Sequence, residues 1–96
     1  MYTLIPTETF NLSYIKVIGK DQKKKKRTQK ALHLLQQNPA YPSLKTHKVN
    51  TKTFGERWAS WITGDLRIIW DFDEKQQLVI LLLAITGHSG KHREYK

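Results

Sequence analysis

The chain contains no cysteine and no long hydrophobic run. Without cysteine it has no disulfide, no thiolate nucleophile and no zinc site of the cysteine kind, which favours a cytoplasmic location. The longest apolar run, Leu78–Ile85, is far too short to span a bilayer. The chain also begins without a basic segment followed by a hydrophobic one, so we expect neither a membrane partner nor a secretion signal.

Acidic residues are scarce compared with basic ones. Lys and Arg number 17 and Asp and Glu only 8, giving a formal net charge of +9 and an isoelectric point near 9.9. Excess charge of one sign repels itself in a folded chain, so the imbalance indicates a polyanionic partner, with nucleic acid favoured over a membrane. General solubility is the alternative. The length suits one hydrophobic core, which predicts a single domain over residues 1–96.

The first half of the chain has the pattern of a strand followed by two helices. Tyr2–Ile5 is apolar, and Thr7 can then cap a helix over about residues 8–18. Asp21 can cap a second helix that ends at Asn38. We therefore predict a strand and a helical hairpin.

The second helix begins with a basic run: Lys23, Lys24, Lys25, Lys26 and Arg27. Cations at a helix N-terminus oppose the helix dipole, so this run calls for an external anion or some other compensation. A merely solvated helix face explains the same pattern. We treat these residues as candidate RNA contacts.

The second half of the chain has the pattern of four antiparallel strands joined by short loops. They are predicted at Leu44–Val49, Glu56–Ile62, Leu66–Phe72 and Leu78–Ile85. The last of them is apolar on both faces, which suits an interior position in the sheet. The predicted fold class is therefore α+β, with an N-terminal strand and a helical hairpin packed on a mainly antiparallel, twisted sheet.

Alternation in the third of these strands places Arg67 on the sheet face opposite to the helices. A guanidinium on a strand presents a planar, permanently charged fork, so Arg67 is the candidate for clamping a phosphate. A cross-strand salt bridge with Asp71 or Glu56 is the alternative.

Cleavage of RNA without a metal needs groups that move protons and neutralise charge on the phosphate. His88 lies just beyond the end of the last predicted strand, and His92 and Tyr95 come shortly after it. We predict an acid or base role for His88, although an ordinary exposed histidine would look the same. His47, on the first strand of the second half, is a second candidate proton carrier.

Other residues could extend a nucleic-acid surface. Trp58 and Trp61 could stack on bases, whereas Trp70 belongs to the core face. The histidines and carboxylates show no metal-ligand spacing, so we predict neither a metal nor a cofactor. Further candidate RNA contacts are Lys45, Lys48, Lys52, Arg57 and Lys91.

Three segments, NPAYPSLKTHKV, GERWASWITGDLRIIWDFD and LLLAITGH, occur here in an order that resembles the RelE/ParE toxin superfamily. The resemblance covers nearly the whole chain. It implies a toxin of a toxin-antitoxin system, an endoribonuclease that enters the ribosomal A site, cuts mRNA without metal and so inhibits translation. It also implies a cognate antitoxin, which charge complementarity predicts to be acidic.

The resemblance assigns roles to individual positions. Arg67 matches the strand arginine that contacts phosphate, while His88 and His47 match histidines of the YafQ-like branch. Asp65 aligns with the acidic residue before the arginine-bearing strand, and Tyr95 with a late tyrosine or phenylalanine. The glutamate base of another branch has no counterpart here, so that mechanism is disfavoured.

Three functions stay open at this point: a ribosome-dependent endoribonuclease, a ParE-like gyrase poison without nuclease activity, and a non-toxic RNA-binding relative. The co-occurrence of Arg67, His47 and His88 favours the first, because a gyrase poison needs no histidine.

Overall fold

A computed structural model describes residues 1–87. Its elements are β1 (Thr3–Pro6), α1 (Glu8–Val17), α2 (Gln22–Gln37), a 3₁₀ turn (Pro42–Leu44), β2 (His47–Thr51), β3 (Gly55–Trp61), β4 (Leu66–Phe72) and β5 (Val79–Gly87). The predicted α+β class is confirmed. Within residues 1–87, no helix is long and apolar enough to cross a membrane.

The five strands form one sheet in the order β1-β5-β4-β3-β2. The last four strands of the chain pair as successive antiparallel hairpins, and β1 pairs with β5 in parallel. Because β5 lies between β1 and β4, the predicted interior position of the most apolar strand is confirmed.

Both predicted helix caps are present. Thr7 Oγ1 accepts a hydrogen bond of 3.3 Å from the Phe10 amide, and the Asp21 carboxylate accepts one of 3.1 Å from the Lys24 amide. Gly19 separates the two helices with a φ of +56°, a left-handed conformation that glycine adopts without steric cost. These local signals therefore set the helical hairpin.

The main core lies between the helices and one face of the sheet. Its fully buried side chains include Leu35, Ile68, Trp70, Ile80 and Ile85. The opposite face of the sheet, here called the outer face, has a smaller cluster of Ala59, Ile69 and Ala84 with Val49, Phe54 and Leu83 packed against it. The apolar cluster on the outer face is thus much smaller than the main core.

A bulge in β5 decides which side chains share the outer face. Ile69 pairs with Ala84 but Trp70 pairs with Leu82, so Leu83 is an extra residue on β5. An extra residue shifts the alternation of all positions beyond it. Thr86 consequently lies opposite Arg67, on the outer face.

The predicted start of the first strand in the second half is wrong. Leu44 belongs to the 3₁₀ turn, and β2 begins only at His47. Pro42 supplies the fixed φ that suits the first position of such a turn, and Lys45 then adopts a left-handed φ of 46°. Leu44 is apolar because it is buried in the main core, with 1% exposure, and not because it begins a strand.

We expect Leu35→Ala to lower the free energy of unfolding by about 2–5 kcal/mol, because it leaves a cavity in a close-packed core. Leu12→Ala is the matched control, since Leu12 is 59% exposed on α1 and its loss should cost less than about 0.5 kcal/mol. Urea denaturation measures both values. Equal losses would contradict the assignment of the core.

Candidate functional site

Arg67 lies near one end of β4, the middle strand of the sheet, and its side chain on the outer face is buried, with 3% exposure. Across the neighbouring strands it pairs with Trp61 of β3 and Thr86 of β5. The predicted orientation of Arg67, away from the helices, is confirmed. Its deep burial was not expected from the sequence.

The Arg67 guanidinium closes the turn between β3 and β4. Its Nη1 donates hydrogen bonds of 2.8 Å to the carbonyls of Thr63 and Gly64, and a longer one of 3.3 Å to that of Leu66. A charge-assisted hydrogen bond to a carbonyl is stronger than a neutral one. The turn therefore fixes one edge of the guanidinium.

Within residues 1–87, the guanidinium has no carboxylate partner. The single ion pair of this region joins Arg57 Nη1 to Asp71 Oδ2 at 2.9 Å. Asp71 is thus already engaged, and the alternative of an Arg67–Asp71 salt bridge is not observed. Arg57, predicted as an RNA contact, is partly committed to this pair.

Two buried polar atoms lack hydrogen-bond partners within residues 1–87: Arg67 Nε and Thr86 Oγ1. A buried polar group without a hydrogen bond costs about 1–3 kcal/mol. Both atoms can donate, and they belong to cross-strand neighbours. Each could donate a hydrogen bond to an oxygen of an anionic group that reached it.

Trp61 carries two cations on its ring. The Arg67 Cζ lies 4.3 Å and the Lys45 Nζ 4.7 Å from the ring centroid. Arg67 belongs to β4, whereas Lys45 lies two residues before the start of β2, and these two strands flank β3 on opposite sides. The indole therefore holds two positive charges at one end of the outer face.

Trp58, on the helix-packed face, is contacted in the same way. Lys48 Nζ lies 4.6 Å from its ring centroid, and the Trp70 ring stacks at 6.1 Å from the other neighbouring strand. A nucleobase could stack on Trp58 or Trp61 only by displacing one of these neighbours. Trp70 is 1% exposed, so its predicted place in the core is confirmed.

His47 lies on the outer face of β2, where it pairs with Ala59. Its Nδ1 is 2.8 Å from the carbonyl oxygen of Lys45. Since a carbonyl only accepts, Nδ1 carries the hydrogen and Nε2 has the free lone pair of the neutral ring. This arrangement suits a general base. His47 is level with Ile69, two residues along β4 from Arg67, so two strand spacings and two residue rises separate the backbones of His47 and Arg67 by about 12 Å.

Asp65 lies at the exposed tip of the turn that Arg67 closes. It borders a cleft of about 370 Å³ whose other side is formed by the basic start of α2, including Lys23, Lys24 and Arg27. The two acidic residues around this cleft, Asp65 and the capping Asp21, partly offset the cations at the helix N-terminus. The basic run is otherwise exposed, except for the half-buried Lys25.

Other predicted site residues are dispersed. Lys45, Lys48 and Lys52 are exposed on or beside β2. His88, Lys91, His92 and Tyr95 lie outside the described residues.

Thr86 was not predicted as a site residue from the sequence, because its place opposite Arg67 depends on the bulge at Leu83. Within residues 1–87, no three His, Asp or Glu side chains lie close enough together to hold a metal ion.

Comparison with known proteins identifies the fold. No protein-family model matches the chain, and no curated protein is similar to it in sequence. Solved structures do match. A YoeB/ParE toxin from Agrobacterium tumefaciens superposes with a TM-score of 0.68 at 14% identity, covering 91% of this chain and 99% of that one. YafQ from Escherichia coli gives 0.57 at 16% identity, covering 88% and 91%.

The toxin-antitoxin complex RelBE2 from Mycobacterium tuberculosis gives a TM-score of 0.50 at 14% identity, covering 99% of this chain and 98% of that one. The chain has the fold of the RelE/ParE-type toxins. In this toxin fold, Arg67 and Thr86 lie on the sheet face opposite to the helical hairpin.

The contact of His47 predicts its tautomer. We expect the neutral ring to carry its hydrogen on Nδ1, whereas a free histidine side chain favours hydrogen on Nε2. Long-range ¹H–¹⁵N spectra of the imidazole nitrogens distinguish the two forms. His33 is the internal control, because it is exposed on α2. An Nε2–H tautomer at both histidines would contradict the Lys45 contact.

Proposed function

We propose that this chain is the toxin of a toxin-antitoxin pair and a metal-independent endoribonuclease that cuts mRNA in the ribosomal A site of the cytoplasm and inhibits translation. One observation carries the proposal. The Arg67 guanidinium is buried on the outer face without a carboxylate partner among residues 1–87, and within the same residues neither its Nε nor the hydroxyl of its cross-strand neighbour Thr86 has a hydrogen-bond partner. Keeping a charge and two unpaired polar atoms buried costs stability, and binding a scissile phosphate would offset that cost.

The reaction we propose uses the 2′-hydroxyl of the RNA as the nucleophile. The 2′-oxygen attacks the neighbouring phosphorus and the bond to the 5′-oxygen breaks, leaving a 2′,3′-cyclic phosphate and a 5′-hydroxyl. One group takes the proton of the 2′-hydroxyl and another protonates the 5′-oxygen. We assign these transfers to His47, whose Nε2 keeps the lone pair of the neutral ring because Nδ1 donates to Lys45, and to His88, which follows Gly87 directly in the chain.

Charge stabilisation falls to Arg67 and Lys45. Both cations lie within 5 Å of the same indole, so their positive charge is concentrated where the phosphate would bind. A preorganised cation in a site with little water stabilises developing negative charge more than it does in bulk solvent. His92 and Tyr95 remain candidate acids, Asp65 a candidate acidic group at the rim, and the basic run of α2 a candidate RNA contact.

An acidic antitoxin is the proposed protein partner. RelBE2, which shares the fold, has been solved as a toxin-antitoxin complex. The present chain has a net charge of +9, so a negatively charged partner would be attracted to its surface over a long range. Such a partner could compete directly with RNA for the same cations.

Expression in growing bacteria without an antitoxin tests the proposal. We expect the wild-type chain to arrest growth with codon-phased cuts in mRNA. Arg67→Gln, His47→Ala and His88→Ala should each reduce cleavage by about 100-fold or more, because each removes charge stabilisation or a proton transfer. His33→Ala is the matched control and should leave cleavage unchanged. Mapping of mRNA 5′ ends measures cleavage, and circular dichroism confirms that each variant folds.

The same cultures distinguish the other functions. Arrest with intact mRNA and gyrase-linked DNA breaks, unaffected by the histidine variants, would replace the ribonuclease with a ParE-like gyrase poison. Normal growth with well-expressed, folded wild-type protein would show that the chain is a non-toxic relative.

A further inference from the structure

A groove on the helix-packed side of the sheet shares only Lys45 with the residues assigned to the proposed cleavage. It lies where the helices leave β3 and β4 uncovered, beside the segment that connects α2 to β2, and it holds about 380 Å³. Its walls and floor include Tyr41, Pro42, Trp58, Trp70 and Phe72. We call it the aromatic groove.

Hydrogen bonds fix the floor of the aromatic groove. Trp70 Nε1 donates to Ser60 Oγ at 2.8 Å, and Ser60 Oγ lies 2.6 Å from Thr46 Oγ1, which donates to the Pro39 carbonyl at 2.8 Å. Because Thr46 uses its own hydrogen on Pro39, the Ser60 hydroxyl donates to Thr46. The chain of bonds ties the connecting segment to β3 and β4, so the groove exists before any ligand binds.

Large apolar side chains remain accessible in the aromatic groove. Tyr41 is 44% exposed and Phe72 is 41% exposed. Phe72 packs edge-on against Trp70 with ring centroids 5.0 Å apart. Burial of aromatic side chains in a preformed, concave site is the usual source of binding energy at protein interfaces.

The rim of the aromatic groove is positive. Lys45 lines it, and Lys48 lies over the adjoining Trp58 ring. Neither lysine forms an ion pair within residues 1–87. A second copy of this chain, with its net charge of +9, would be repelled by such a rim. An acidic ligand would be attracted.

The ring contacts favour a protein ligand over RNA. The Trp58 ring is already contacted by Lys48 and by Trp70 from the two neighbouring strands, so a nucleobase could stack on that ring only by displacing one of them. Aliphatic and aromatic side chains need only the concave surface between Tyr41, Trp58 and Phe72.

We propose that the aromatic groove binds an acidic segment of the antitoxin. The segment seats a large apolar side chain against Trp58 and Phe72, while neighbouring Asp or Glu residues pair with Lys45 and Lys48. This inference rests on the proposed toxin function, because that function supplies the partner. The groove and the Arg67 guanidinium lie on opposite faces of the sheet, and Tyr41 and Phe72 have no role in the proposed cleavage, so variants of these two residues test the groove separately.

The probe is a short fluorescein-labelled peptide of Asp and Glu that carries one Leu and one Phe. Fluorescence anisotropy measures its binding to the full chain. Indole ¹H–¹⁵N signals locate it, since Trp58 and Trp70 line the groove and Trp61 lies on the outer face. We expect the signals of Trp58 and Trp70 to shift and that of Trp61 to move less.

Matched variants test the two parts of the proposed contact. Tyr41→Ser and Phe72→Ser should each weaken binding about tenfold, whereas Ile15→Ser, which replaces a 70% exposed residue on α1, should not. Lys48→Glu should weaken binding by several-fold more than Lys52→Glu, which makes the same change of charge on the β2–β3 turn. The peptide in which Ser replaces Leu and Phe should bind at least about tenfold more weakly.

Other outcomes overturn the proposal. Equal binding of the two peptides, or no effect of Tyr41→Ser, would mean that any polyanion is attracted to the basic surface. A single-stranded RNA that shifts Trp58 and Trp70 and displaces the peptide would make the groove a nucleic-acid site. If the peptide does not bind to the folded wild-type chain, the aromatic groove is not a binding site for such a segment. Peptide binding does not depend on cleavage, so loss of the ribonuclease proposal alone would leave these readouts unchanged.

Discussion

The structure depends on hydrogen-bond partners for the backbone amides and carbonyls along the whole length of β5. β1 covers only the first part of β5, up to Leu82. Near and beyond that point, side chains of α1 and its N-cap supply the hydrogen bonds. Thr7 donates to the Leu82 carbonyl at 2.8 Å and Thr9 to the Leu83 carbonyl at 2.7 Å. The Ile85 amide donates to Ser13 Oγ at 2.8 Å. Buried backbone groups without partners would be costly, so these three hydroxyls make it possible for β5 to stay buried beyond the end of β1.

The bulge at Leu83 occurs within this same stretch. Because α1 supplies hydrogen bonds there, β5 can depart from regular pairing and change which residues face outwards. Without the extra residue, the alternation of β5 would place Thr86 on the helix-packed face. With it, Thr86 lies opposite Arg67. The composition of the outer face thus follows from contacts made on the other side of the sheet.

Most of the fold, but only part of the candidate site, could be predicted from the sequence. Period-two alternation was sufficient to orient Arg67, and the capping signals at Thr7 and Asp21 located both helices. Thr86 could not be found in that way, because a bulge leaves no local signal in an apolar strand. Leu44 was misassigned because burial in a turn and burial in a strand give the same apolar pattern.

The side chains that contact Trp58 and Trp61 could not be predicted from the sequence, for a different reason. Pairing β3 with both β2 and β4 brings Lys45 to Trp61 and Lys48 to Trp58, and such contacts depend on register between strands that are separated in sequence. Alternation alone left both rings as possible stacking platforms. Register shows that their neighbours are cations and another indole, which changes these tryptophans from base-stacking candidates to supports for positive charge.

Lys45 connects the two surfaces of the sheet. Its ammonium lies over Trp61, beside Arg67, while the same residue lines the aromatic groove. A carboxylate that pairs with Lys45 from the groove would compete with Trp61 for one ammonium group. An occupied groove would then lower the positive charge available beside Arg67, and a phosphate bound at Arg67 would in turn hold Lys45 at Trp61. Since linkage is reciprocal, each of these two proposed ligands would weaken the binding of the other through Lys45.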